Sequence, residues 1–85
     1  MTDLRVDLER IKQGILELAE IGRRDEDRGI YRMAFTDADM EGKRWLSDRI
    51  KGADLQWSMD GALNISGALP AATEDRPRML VGSHI

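Results

Sequence analysis

Eighty-five residues make one small domain at most, close to the length at which a single hydrophobic core is only just large enough to hold. A hydrophobic share of 41% excludes wholesale disorder, and 34% charged residues at a net charge of -3 leave no basic excess with which to neutralise nucleic-acid phosphates. The absence of cysteine excludes disulfides, thiolate nucleophiles and Cys-ligated zinc, and it fits an intracellular setting.

The chain opens Met1-Thr2-Asp3-Leu4-Arg5, without the basic-then-apolar order of a signal peptide, and no later apolar run is long enough to span a bilayer. A soluble, cytoplasmic protein is expected, with neither membrane nor nucleic-acid partners. Leu4, Leu8, Ile11, Ile15 and Leu18 then recur at helical spacing, with Leu16, Ala19 and Ile21 widening the same face and Gly22 as the stop. That face can serve a domain core or a short coiled-coil seam, and core packing is the expected use.

A run of alternating charge, Arg23-Arg24-Asp25-Glu26-Asp27-Arg28, reads as a solvated loop. Residues 29–35 read as a packed, irregular connection into a second helix. Thr36, with Asp39 three residues on, approximates a capping box there, and Asp37, Asp39 and Glu41 put negative charge where the helix dipole favours it. Capping accounts for these acids without a metal. Trp45, Leu46, Ile50 and Ala53 mark the buried side, and the helix should end between Gly52 and Asp54.

Beyond it the period becomes strand-like. Residues 55–59 alternate apolar with polar, Asp60-Gly61 signals a reversal, and residues 62–69 form the return strand. Residues 70–77 are a polar loop bracketed by two prolines. Met79, Leu80 and Val81 make a short apolar run of the kind found in strands buried on both faces, and they lead into Gly82-Ser83-His84-Ile85. The expected architecture is α+β, two helices followed by a small three-stranded sheet, in one domain spanning residues 1–85.

A hydrophobic strand that delivers a histidine at its carboxyl end suits a ligand crevice, and imidazole is the commonest neutral metal ligand. An incidental surface histidine is the competing explanation of His84. Four stretches bear on the choice: the leading amphipathic helix ending in Ile21-Gly22; Tyr31-Arg32-Met33-Ala34-Phe35-Thr36-Asp37-Ala38-Asp39, similar to a T-R-L-A-F-T-x-x-D pattern; Gly42-Lys43-Arg44-Trp45-Leu46; and Leu80-Val81-Gly82-Ser83-His84, similar to an L-x-G-S-H-x-D strand. In order and spacing they resemble the start of the hydantoinase/carbamoylase family of zinc-dependent amidohydrolases, which includes N-carbamoyl-L-amino acid hydrolases and allantoate amidohydrolases.

The resemblance implies that His84 is the first metal ligand, that zinc or another divalent metal serves the full-length enzymes, and that the chain begins a mixed-sheet α/β zinc-peptidase-like catalytic domain. It assigns no catalytic residue here, because the other ligands and the catalytic base of the family lie downstream. Ser83 and Asn64 are the candidate supporting or turn residues. The expectation is a fragment inactive by itself and holding no metal of its own. The alternative is a free-standing α+β interaction or oligomerisation module, and on either reading self-association through an exposed strand edge is expected. One departure is local: the family hairpin D-x-x-G-N is Asp60-Gly61-Ala62-Leu63-Asn64 here, and a leucine is not expected at a positive-φ position.

Overall fold

The computed structural model describes residues 4–70 and 77–85, and it divides between Glu41 and Gly42 into two compact units. Two helices, α1 (Leu8–Ala19) and α2 (Asp37–Gly52), are followed by two strands, β1 (Gln56–Met59) and β2 (Ile65–Ala68). The α+β expectation holds at that level.

In the first unit, α1 starts four residues later than the apolar spacing suggests. Asp7 is the reason: its carboxylate accepts the Arg10 N–H at 3.1 Å and fixes the N-cap, leaving Leu4 outside the helix and 95% exposed. The apolar stripe forms as read, yet it does not become a core. No residue of α1 is buried, and Leu8, Ile11, Ile15 and Leu16 are all exposed. The close contacts of this unit lie instead at the C-terminal end of the helix, where Ile21 is its buried hydrophobic residue.

That end is closed by Gly22 and Arg32. Gly22 takes φ +80, a conformation that costs most residues about 1–2 kcal/mol, and an added Cβ would stand 2.5 Å from the Tyr31 carbonyl oxygen. The chain then doubles back. The Tyr31 N–H donates to Gly22 O at 2.8 Å, the Arg24 N–H to Gly29 O at 2.9 Å, and Arg23 and Ile30 form an antiparallel bridge. The charged run is thus a tight, ordered hairpin with exposed side chains. Asp27 organises its tip: one carboxylate oxygen accepts the Gly29 N–H at 2.8 Å and the other the Tyr31 hydroxyl, while the Arg24 guanidinium lies 4.0 Å over the Tyr31 ring. The Tyr31 hydroxyl and the Gly29 amide hold the Asp27 carboxyl below its ordinary value of 3.8.

Arg32 follows, and its Nη1 donates to Leu18 O at 2.9 Å and Ile21 O at 2.8 Å. A cation there adds a charged donor to the Leu18 carbonyl, which already accepts the Ile21 N–H at 3.1 Å, and to the Ile21 carbonyl just past the helix, and it complements the negative end of the helix dipole. Arg32→Met, which keeps the stem and removes the donors, should destabilise the first unit by about 1–2 kcal/mol, read as faster amide exchange in the last turn of α1. Unchanged exchange would dismiss the cap.

The start of α2 matches the capping pattern, shifted by one residue at one of its two bonds. The Asp39 N–H donates to Thr36 Oγ1 at 3.4 Å, and Asp39 Oδ2 accepts the N–H of Phe35, one residue before the cap, at 2.9 Å. Asp39 is only 6% exposed, so the carboxylate that reads as part of an acidic cluster is committed to local backbone.

In the second unit α2 ends in a Schellman motif. The Asp54 N–H donates to Lys51 O and the Leu55 N–H to Ile50 O, at 3.1 and 3.2 Å, with Asp54 at φ 60. This turn sends the chain back as an antiparallel hairpin with Trp57 opposite Gly67 and Met59 opposite Ile65. The hairpin packs on the last turns of α2. Trp57 Nε1 donates to Ser47 Oγ at 2.8 Å, Lys51 Nζ sits 4.5 Å over the Trp57 ring, and the Gly67 backbone lies against Ile50.

The third strand is not formed. Residues 77–85 have no regular structure, and Met79 and Leu80 are 93% and 92% exposed. A strand exists only by pairing with a neighbour, and the two-stranded sheet has recruited none among the described residues. Most of the proline-bracketed loop, residues 71–76, lies outside the described residues.

Candidate functional site

Sequence reasoning singles out His84, with Ser83 and Asn64 as supporting or turn residues. His84 and Ser83 lie in the irregular C-terminal stretch with exposed side chains, and the polar contact there is a long one, Ser83 Oγ to the His84 carbonyl oxygen at 3.5 Å. Asn64 is in the hairpin loop and serves the turn.

That loop is the most developed polar constellation of the second unit. The Asp60 N–H donates to Asn64 O at 3.1 Å, and Leu63 N–H donates to Asp60 O at 3.0 Å, so residues 61–63 form a three-residue connection. Asp60 Oδ1 accepts the N–H groups of Ala62 and Asn64, each at 2.9 Å, and Oδ2 accepts Asn64 Nδ2 at 2.9 Å. The Asn64 side chain and the amides of Asn64 and Ala62 hold the Asp60 carboxyl below its ordinary 3.8. Folded-state depression of this sign, at both Asp60 and Asp27, gives stabilisation that is complete above the unfolded value and fades as pH falls through the lower folded one.

Leu63 corrects the expectation drawn from its side chain. It adopts φ 66, the left-handed conformation that a glycine takes without strain. The Asp60 grip and the pairing of Asp60 with Asn64 impose that geometry on a residue that resists it. The strain gives a prediction of sign. At an ordinary position glycine is about 0.5–1 kcal/mol less stable than alanine, but here Leu63→Gly should exceed Leu63→Ala by about 1 kcal/mol. Both lose the same half-buried side chain, so their difference in urea unfolding isolates the backbone.

Catalytic zinc needs about three protein ligands and an open position for water. Among the described residues no three His, Cys, Asp or Glu side chains are grouped to hold a metal ion. The described residues therefore offer no grouped donor set for such a metal. The acids that sequence inspection noticed, Asp37, Asp39 and Glu41, belong to the first turns of α2. Sequence reasoning missed two roles, Arg32 closing α1 and Asp27 setting the first hairpin, and it read Asp60 as a reversal signal without its carboxylate bonds. Asp27 had a readable signal, since an aspartate two residues before a glycine in a charged loop is a common turn-former.

The chain is similar to an amidohydrolase. It is 31% identical over 85 residues to N-carbamoyl-L-amino-acid amidohydrolase of Pseudomonas sp. (strain NS671), a match that takes in 100% of this chain and 20% of that enzyme. The chain thus spans about a fifth of the length of the curated relative it matches. No family model and no solved structure matches it. Among the described residues no helix is long and apolar enough to cross a membrane.

Proposed function

We propose that the chain is the N-terminal segment of a metal-dependent amidohydrolase that cleaves non-peptide C–N bonds of carbamoyl compounds, with His84 as its first metal ligand. The end-to-end similarity to a fifth of an N-carbamoyl-L-amino-acid amidohydrolase carries this reading. That no three metal-ligating side chains are grouped among the described residues supports its second half, that residues 1–85 alone neither hold a catalytic metal nor hydrolyse substrate.

A chimera tests both halves. Residues 1–85 replacing the matched fifth of the Pseudomonas enzyme should hydrolyse an N-carbamoyl-L-amino acid and retain divalent metal through gel filtration. The His84→Ala chimera should lose both properties, and the 85-residue chain should show neither. A folded but inactive chimera, or full metal content after His84→Ala, would sink the assignment.

The sheet supports a second reading, in which the chain is a self-associating α+β module. Each of its two strands has a single neighbour among the described residues, so each leaves an edge open to another strand. On this reading the exposed residues 79–81 pair across a dimer. Sedimentation would show a concentration-dependent dimer that Leu80→Lys abolishes, and a strict monomer would end the proposal.

A further inference from the structure

We propose that the bond between Asp60 and Gly61 is a site of spontaneous isoaspartate formation, and that the grip of Asn64 on the Asp60 carboxylate sets its rate. The inference stands apart from the amidohydrolase reading and rests on the hairpin alone.

The chemistry needs no partner. The Gly61 amide nitrogen bonds to Asp60 Cγ; a carboxyl oxygen leaves with the amide proton and a second proton as water, closing a five-membered succinimide. Water then adds at either ring carbonyl. Opening one C–N bond restores aspartate, and opening the other routes the main chain through the side-chain carbon as isoaspartate. Nothing is oxidised or reduced, and the water released is the water consumed.

Two features of the loop favour the reaction. Glycine at position 61 puts no side chain beside the attacking nitrogen, and the surroundings are open, since even an added Cβ would meet nothing within 4 Å. Asp60 and Gly61 are both exposed, so hydrolytic water has access.

Three hydrogen bonds oppose it. Ring closure requires the Asp60 carboxyl to turn toward Gly61 and to carry a proton, because an ionised carboxylate is a poor electrophile. Donors from Ala62 and Asn64 at 2.9 Å hold both oxygens and favour the ionised form. The reaction is therefore gated by opening of the hairpin tip, and the left-handed Leu63 brings that opening closer. The product lasts, because an extra main-chain carbon between residues 60 and 61 breaks the pairing of Asp60 with Asn64 on which the register depends.

The full chain, aged in warm near-neutral buffer, tests this by peptide mapping with enzymatic methylation of isoaspartate. Isoaspartate should build up at Asp60 several-fold faster in denaturing urea than in the folded chain. Asn64→Ala, with Trp57 fluorescence confirming an intact hairpin, should fall between the two. Equal rates in urea and in the folded chain would overturn the gating, and so would a folded Asn64→Ala chain ageing at the wild-type rate. Should Asn64→Ala fail to fold, the folded-against-urea comparison of the wild type decides alone. No isoaspartate at Asp60 in urea would overturn the site itself.

Discussion

Replacing Gly22 with alanine should destabilise the first unit by about 3 kcal/mol, the sum of roughly 1–2 for a left-handed residue and 1–3 for forcing a methyl into occupied space. The methyl would meet the Tyr31 carbonyl oxygen at 2.5 Å and the Arg32 side chain at 3.0 Å. Tyr31 O belongs to the backbone of the returning strand, so it cannot swing aside as a side-chain tip would. Moving that strand breaks the bond from the Tyr31 N–H to Gly22 O and pulls Arg32 from the Leu18 and Ile21 carbonyls. The expected signature is loss of amide-exchange protection at Tyr31 and Arg24, with protection in the first turns of α1 kept. Gly52→Ala is the internal control. Gly52 closes α2 at ordinary φ with open space around it, so alanine there should be neutral or stabilising by up to about 1 kcal/mol. A Gly22→Ala chain as stable as wild type would mean that the hairpin in residues 22–31 does not hold the end of α1.

How much of this was legible beforehand depends on whether a feature is local. The stop at Gly22, the Thr36 and Asp39 cap, the end of α2 near Gly52 and the reversal after Asp60 all rest on a few adjacent residues, and all appear close to where the sequence puts them. The features that went unread depend on partners. The stripe through Leu8, Ile11 and Ile15 is visible as periodicity, but periodicity does not say whether anything covers it, and here it stays exposed. Residues 79–81 have the composition of a buried strand and lack the neighbour that makes one. Leu63 fails in the opposite sense: its own preference argues against positive φ, and the hydrogen bonds of Asp60 override it. For the candidate site, the residue type of His84 was legible and its companions were not, since ligands meet through a fold and not through sequence neighbours.

The second large effect is expected at Gly67, where the backbone is not left-handed and packing outweighs the intrinsic preference. Gly67 stands opposite Trp57 on the face that meets α2, and a Cβ there would sit 2.8 Å from Ile50 Cγ2 and 3.3 Å from Leu55 Cδ1. Ile50 Cγ2 is fixed directly to a β-branched carbon with one strongly preferred helical rotamer, so it yields poorly. Gly67→Ala should therefore cost the second unit about 2 kcal/mol, even though alanine is the better intrinsic residue by about 0.5–1 kcal/mol. Urea unfolding followed by tryptophan fluorescence reads the change, because the Trp57 ring is held by Ser47 Oγ and Lys51 on the same helix. A double-mutant cycle identifies the cause. Ile50→Leu removes the offending branch while keeping the side chain apolar, so Gly67→Ala should cost at least 1 kcal/mol less in that background than in the wild type. Strict additivity would place the penalty elsewhere and break the link between this glycine and the docking of the hairpin on α2.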